Sequence, residues 1–247
     1  MDSLTDGDVP RHSSPVGARW GGPGCAELPV MRHHRGVPME PFSEFDPYGG
    51  APEPDVLPGH LLVSTPTIDD PNFWRRVILV LDHGVHGALG VVIDRPGGVA
   101  VDQLLPQWHP FATAPAELFT GGPVSRNSLI GLVRLASRQA GEPGSPGCPA
   151  GWRQLVDDER PVGTVDLGAD PADAAGSIVG ARLFSGYAGW ESGQLEEEIA
   201  EGSWYVIPAE ARDPISADPE GLWRRVLKRQ GGALALVSAF PADPTHN

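Results

Sequence analysis

No apolar run in this chain exceeds five residues; the longest are Val77–Leu81 and Ala233–Val237. A helix crossing a bilayer needs about 20 apolar residues, so no such span can be built from this sequence. The breaks are supplied by 27 prolines and 32 glycines, residues that end helices and interrupt strands. The chain must therefore fold, where it folds, as a succession of short elements.

Those breakers are unevenly spread. Residues 1–55 hold nine Pro and eight Gly among scattered large apolar side chains. Such a stretch cannot bury enough surface to offset the entropy of ordering it, and it reads as a disordered leader. It shows no apolar core behind a basic start, as a secretory signal would, and its nine acidic residues against four Arg do not suit an organellar transit peptide. Residues 56–247 remain as one expected domain of ordinary size.

The formal charge is −14. Residues 1–55 carry four basic and nine acidic residues, and residues 56–247 carry 14 and 23. Binding a polyanion normally takes clustered Lys and Arg, so this field argues against direct nucleic-acid contact. Lys228 is the sole lysine, which removes most Schiff-base or phosphate-gripping chemistry. Cys25 and Cys148 lie in Gly/Pro-rich segments, far from other thiols, a usage that fits a reducing cytoplasm.

Along the domain, Leu61–Thr65 reads as a strand stopped by Pro66. Asp70-Pro71, Asp170-Pro171 and Asp218-Pro219 each offer an N-cap followed by proline, predicting helices after 71, over 171–178 and over 219–229. Val77–Leu81 and Ala88–Ile93 flank a turn composition and predict a hairpin covered on both faces. Val101–Leu105 predicts a helical turn. Further strands are expected at 118–120, 128–135 with a bulge at Gly131, 152–156, 163–167, 181–187, 203–207 and 234–238, with an acidic helix over 191–201. Strands outnumber helices and often follow one another, so the fold class is α+β and not a doubly wound βαβ sheet.

Little of this composition announces chemistry. Asp82, His83 and His86 share a tight turn, where their side chains need not converge on one cation, and no further protein ligand is evident. There is no G-x-S-x-G elbow, and nothing marks Ser64 or Thr65 as activated. Neither a metal nor a cofactor is read from the sequence. Gly121-Gly122-Pro123 could present backbone donors to an anion, or could be a tight turn forced by close packing. Glu196, Glu197, Glu198 and Glu201 are expected to coat a solvated helix face. Arg224, Arg225, Lys228 and Arg229 form a basic cluster opposite the apolar stripe of their helix. Gly186-Tyr187-Ala188-Gly189-Trp190 with Gly193-Gln194 serves equally well as core architecture or as a binding groove.

Taken together these segments are familiar. Gly59-His60-Leu61-Leu62, Asp70-Pro71-Asn72-Phe73, Val77–Leu81 with His83, and the run from Gly87 to Pro96 resemble the opening of the YqgE/AlgH family of bacterial proteins. Asp94 stands where that family's pattern has Asn. Gly121-Gly122-Pro123-Val124, Gly186–Trp190 and Gly193-Gln194-Leu195-Glu196 complete the likeness, from about Leu57 onward. The resemblance implies an α+β fold with a branched, mostly antiparallel β-sheet, part of it curled into a small barrel, surrounded by helices. It also implies a cytoplasmic location and no established reaction; some members are named as transcriptional regulators. The expectation is a non-enzymatic binding or regulatory module acting on an unknown protein or small-molecule partner. Its candidate surface comprises Arg95, Gly121, Gly122, Pro123, Tyr187, Trp190 and Gln194. The alternative is an enzyme, a hydrolase, with an anionic-ligand pocket around Arg95 and the glycine turn.

Overall fold

The computed structural model describes residues 56–241; the stretch 1–55, read above as a disordered leader, lies outside them. The hydrophobic hairpin is the frame. Strand β2 (Val77–Gly84) pairs antiparallel with β1 (His60–Ser64) and with β3 (Gly87–Val92). Alternation sends Val77, Leu79 and Leu81 to one face and Ile78 and Val80 to the other, and both faces are buried. An unbroken apolar run is what a strand covered on both sides requires.

The remaining strands are β4 (Pro96–Ala100), β5 (Glu117–Thr120), β6 (Val124–Leu135), β7 (Arg153–Val156), β8 (Val162–Val165), β9 (Ile178–Trp190) and β10 (Trp204–Pro208). They join one sheet in the order β10-β1-β2-β3-β9-β6-β8-β7, with β4 and β5 branching off β9. Strand β9 makes the branch. Its first part pairs with β6, Phe119 and Thr120 of β5 pair parallel to its Phe184 and Ser185, and its end, Ala188–Trp190, pairs with β3. Among the described residues that β5–β9 contact is the one parallel pairing between strands in a sheet otherwise antiparallel, curled into a half-barrel.

Helices α1 (Val101–Leu104), α2 (Gln194–Ala200), α3 (Leu222–Gln230) and α4 (Gly232–Val237) cover the sheet. Leu222, Trp223, Val226 and Leu227 of α3 pack on the Val77 face of the hairpin. Leu195 and Ile199 of α2 pack on the Ile78 face with Phe73, Trp190 and Trp204. Each such side chain, removed from water, contributes about 1.5–3 kcal/mol. No helix among the described residues is long and apolar enough to cross a membrane.

Several local expectations are corrected. Residues 234–238 are helical, not a strand: they lie within and just past α4. Ala and Leu alternate there, but both are strong helix formers, and α4 continues directly from α3 after Gly231 breaks the axis with φ +73°. The Asp70-Pro71 pair yields only turns, because Arg75 takes a left-handed φ of +53° and turns the chain into β2. Asp170 does cap, accepting from the Ala172 N–H at 2.9 Å, yet only one 3-10 turn (Pro171–Ala174) follows before β9 begins. The irregularities of β6 lie between Val124 and Leu129 and between Arg134 and Leu135, not at Gly131. Strand β4 goes unread because Pro96-Gly97-Gly98 has the composition of a turn.

Candidate functional site

The two glycine motifs meet each other. Gly121 donates its N–H to the Ser185 carbonyl at 2.9 Å, and its own carbonyl accepts the Val92 N–H at 2.8 Å. Thr120 N–H reaches the Arg95 carbonyl at 2.9 Å. A Cβ on Gly121 would land on the carbonyl oxygen of Gly186, and one on Gly122 would land on the backbone of Tyr187. Gly186 in turn has φ +72°, and a Cβ there would sit 2.7 Å from the Gly122 oxygen and 2.8 Å from that of Val124. These glycines let the turn after β5 lie directly against the kink where β9 leaves β6 for β3.

The seven expected surface residues fall into two groups. Arg95, Gly121, Gly122, Pro123 and Tyr187 gather around that crossing; the two glycines are buried, while Arg95, Pro123 and Tyr187 are half-buried. Tyr187 packs with the Val77-face core, whereas Trp190 belongs to the opposite one. Three positions apart on one strand, the two rings point to opposite faces. Trp190 therefore joins Gln194 on the far side of the sheet.

Glu198 holds that second group together. It is 4% exposed. One carboxylate oxygen, Oε2, accepts the indole N–H of Trp190 at 2.9 Å and that of Trp204 at 2.8 Å. The other, Oε1, accepts from the Gln194 amide at 2.9 Å. The two indoles meet edge to face at 6.2 Å, and Phe73 abuts Trp204 at 5.9 Å. The expectation that Glu198 coats a solvated face is thus overturned. The signal was in the spacing: 195, 198 and 199 share one face of a helix, and a carboxylate on that face needs buried donors, which two tryptophans supply. Nearby, His83 Nε2 sits 2.8 Å from Glu196 Oε1, which ties the hairpin turn to α2.

At the other end of the hairpin, Arg76 N–H donates to Ser64 Oγ at 2.8 Å, and the Trp223 indole donates to the Ser64 carbonyl at 2.9 Å. Asp94, just past β3, is fully buried, and neither of its oxygens makes a hydrogen bond of good geometry among the described residues; the Val77 and Asp94 backbone N–H groups act on it only weakly. Burial raises its pKa to about 7, against the opposing pull of Arg76, the Val77 and Asp94 backbone N–H groups and Arg95. Trp74, Arg75, Arg76, Glu220, Trp223 and Arg224 line an adjoining cleft of about 150 Å³. The C-terminal basic cluster divides: Arg225 pairs with Asp218 and Arg229 with Asp213, while Arg224 turns to this cleft. Its partners Arg75 and Arg76 lie some 150 residues earlier in the chain, beyond the reach of any local pattern.

Comparison with known proteins agrees with this geometry. A family model described as AlgH-like matches residues 61–235. A UPF0301 protein of Streptomyces coelicolor is 46% identical over 198 residues, covering 80% of this chain and 99% of the relative. A UPF0301 protein of Thermobifida fusca is 44% identical over 197 residues, covering 77% and 96%. Among solved structures, a Corynebacterium diphtheriae protein superposes with TM-score 0.68 at 31% identity, over 78% of this chain and 97% of that one. The solution structure of AlgH from Pseudomonas aeruginosa gives 0.53 at 28%, over 78% and 98%. With the family model matching residues 61–235 and relatives more than 40% identical over nearly their whole length, the chain belongs to the AlgH-like (UPF0301) family.

Proposed function

We propose that this chain is a non-enzymatic cytoplasmic binding or regulatory module, working through a protein partner or a small ligand and not through direct DNA contact. The observation that carries the reading is the commitment of the Gly121 N–H to Ser185. An acyl- or phosphoryl-transfer site built on that turn needs the donor aimed at developing negative charge, and here it is spent inside the sheet. Two of the four basic residues expected on α3 are likewise spent on Asp218 and Asp213, and a net charge of −14 opposes the many successive phosphate contacts that a nucleic-acid backbone needs.

The test is a thermal-shift screen of the full chain against metabolites and nucleotides, because a ligand of the native state raises its melting temperature. A reproducible, saturable rise is the expected result. Hydrolytic turnover of model esters or phosphoesters that disappears in Arg95→Gln would replace this reading with an enzyme. A band shift on a defined DNA sequence at physiological salt would restore direct DNA contact.

A further inference from the structure

Three arginines from two distant segments converge on the cleft between the Trp74–Arg76 turn and the first turn of α3. The salt bridges made by arginines among the described residues go elsewhere, to Arg138, Arg153, Arg212, Arg225 and Arg229. Among the described residues Arg75, Arg76 and Arg224 have none, Glu220 is the only carboxylate that lines the cleft, and the buried Asp94 that Arg76 acts on lies outside the lining. Like charges held together in a half-buried setting repel one another, and the repulsion is relieved by an anion placed between them. Its mark is on Arg75, whose pKa is lowered by burial and then by the charge of Arg224.

The cluster is also ordered. Arg75 lies with its guanidinium 4.1 Å over the Trp223 ring and 5.7 Å from that of Trp74, and one of its nitrogens donates to the Phe240 carbonyl at 2.8 Å. That leaves most of its donor fork unused. Arg76, also in the lining, has its Nε buried with no acceptor among the described residues, so its charge is not neutralised through that donor. A guanidinium fork matches the oxygens of a tetrahedral anion two at a time. The cleft's 150 Å³ corresponds to about five water volumes, room for such an anion. Trp74, which also lines the cleft, is 38% exposed, so a ring attached to the anion can stack on its indole.

We propose that this cleft binds a phosphate-type dianion, free or carried as a monoester by a small molecule, through Arg75, Arg76 and Arg224. The inference rests on the binding-module reading and names its ligand class.

The experiment is isothermal titration of the full chain with inorganic phosphate and, separately, with adenosine monophosphate, at ionic strength held constant with sodium chloride. Saturable binding is expected. Arg224 is exposed, so Arg224→Gln should leave the melting temperature unchanged while weakening binding about tenfold or more, the worth of a charged hydrogen bond. Glu220→Gln, which removes the cleft's own carboxylate, should tighten it about twofold to tenfold, a gain that general damage to the fold cannot produce. Lys228→Gln, on the same helix but outside the cleft, should change nothing. Tighter binding of the nucleotide that is lost in Trp74→Ala identifies a ring-bearing monoester as the source; equal binding of the two identifies free phosphate. No saturable binding of either probe, or binding indifferent to both Arg224→Gln and Glu220→Gln, overturns the site. If the thermal-shift screen still yields a ligand in that case, the binding-module reading stands without it; an empty screen removes both.

Discussion

Trp190 donates its indole N–H to Glu198 across eight residues of chain, in a setting where both side chains are almost wholly shielded from water. The pair pins α2 to the end of β9 and thereby closes the core on the Ile78 face.

Removing the ring should cost far more than removing the bond. Trp190→Ala is expected to lower stability by about 3–5 kcal/mol through the cavity it leaves, enough to unfold a marginal domain. Trp190→Phe keeps most of the ring, and the loss should be near 1–2 kcal/mol. Glu198→Ala strands two buried indole donors and should cost about 2–5 kcal/mol. Urea denaturation followed by the remaining indoles measures all three. An unchanged midpoint for Trp190→Ala would remove the structural role and make the segment a working surface.

Asp94 should make stability fall as pH rises. Its folded pKa is raised to about 7 from 3.8, so between these values the native state holds a proton that the unfolded chain has released. Unfolding is then favoured by rising pH, and the cost is fully present above about 7. Asp94→Asn, the residue that the resembled family's pattern carries there, should therefore stabilise the protein at pH 8, on the order of 1–4 kcal/mol. Near pH 4 the two should be alike. Parallel chemical denaturation at the two pH values checks it; a constant difference between variant and wild type would show that Asp94 does not titrate in this range.

The glycine crossing predicts a contrast between two substitutions. At Gly121 an added methyl collides with the Gly186 carbonyl, whereas at Gly98, with φ +77°, it meets nothing within 4 Å. Gly98→Ala should cost only the backbone penalty, about 1–2 kcal/mol. Gly121→Ala must push two strands apart and should exceed 3 kcal/mol or prevent folding, as overpacking against fixed backbone does at its worst. Equal midpoints for the two would mean that the crossing is looser than described.

Residues 1–55 should be dispensable for folding. A chain starting near Asp55 is expected to keep the melting transition of the full length, since nine prolines and eight glycines among scattered large apolar residues make that stretch costly to order. A drop of several degrees on truncation would show that it docks on the domain.

Local composition determined a good part of this molecule. The β2–β3 hairpin, the two-faced burial of its strands, the apolar stripe of α3 and the short helical turn at Val101 all follow from patterns within ten residues of each other. The α+β class followed from the succession of strands. What the tertiary structure alone decided was the pairing of distant groups. Gly121 is crossed by Gly186, Glu198 finds Trp190 and Trp204, and Arg75 and Arg76 meet Arg224 because β9 changes partner at its kink and α3 folds back over the hairpin. Residues 234–238 show that local pattern can mislead at shorter range: Ala233–Val237 alternates like a strand, but the segment takes the helix that its Ala and Leu residues also favour. Periodicity constrains which face a side chain occupies; what stands opposite that face depends on chain closure, which no window of sequence contains.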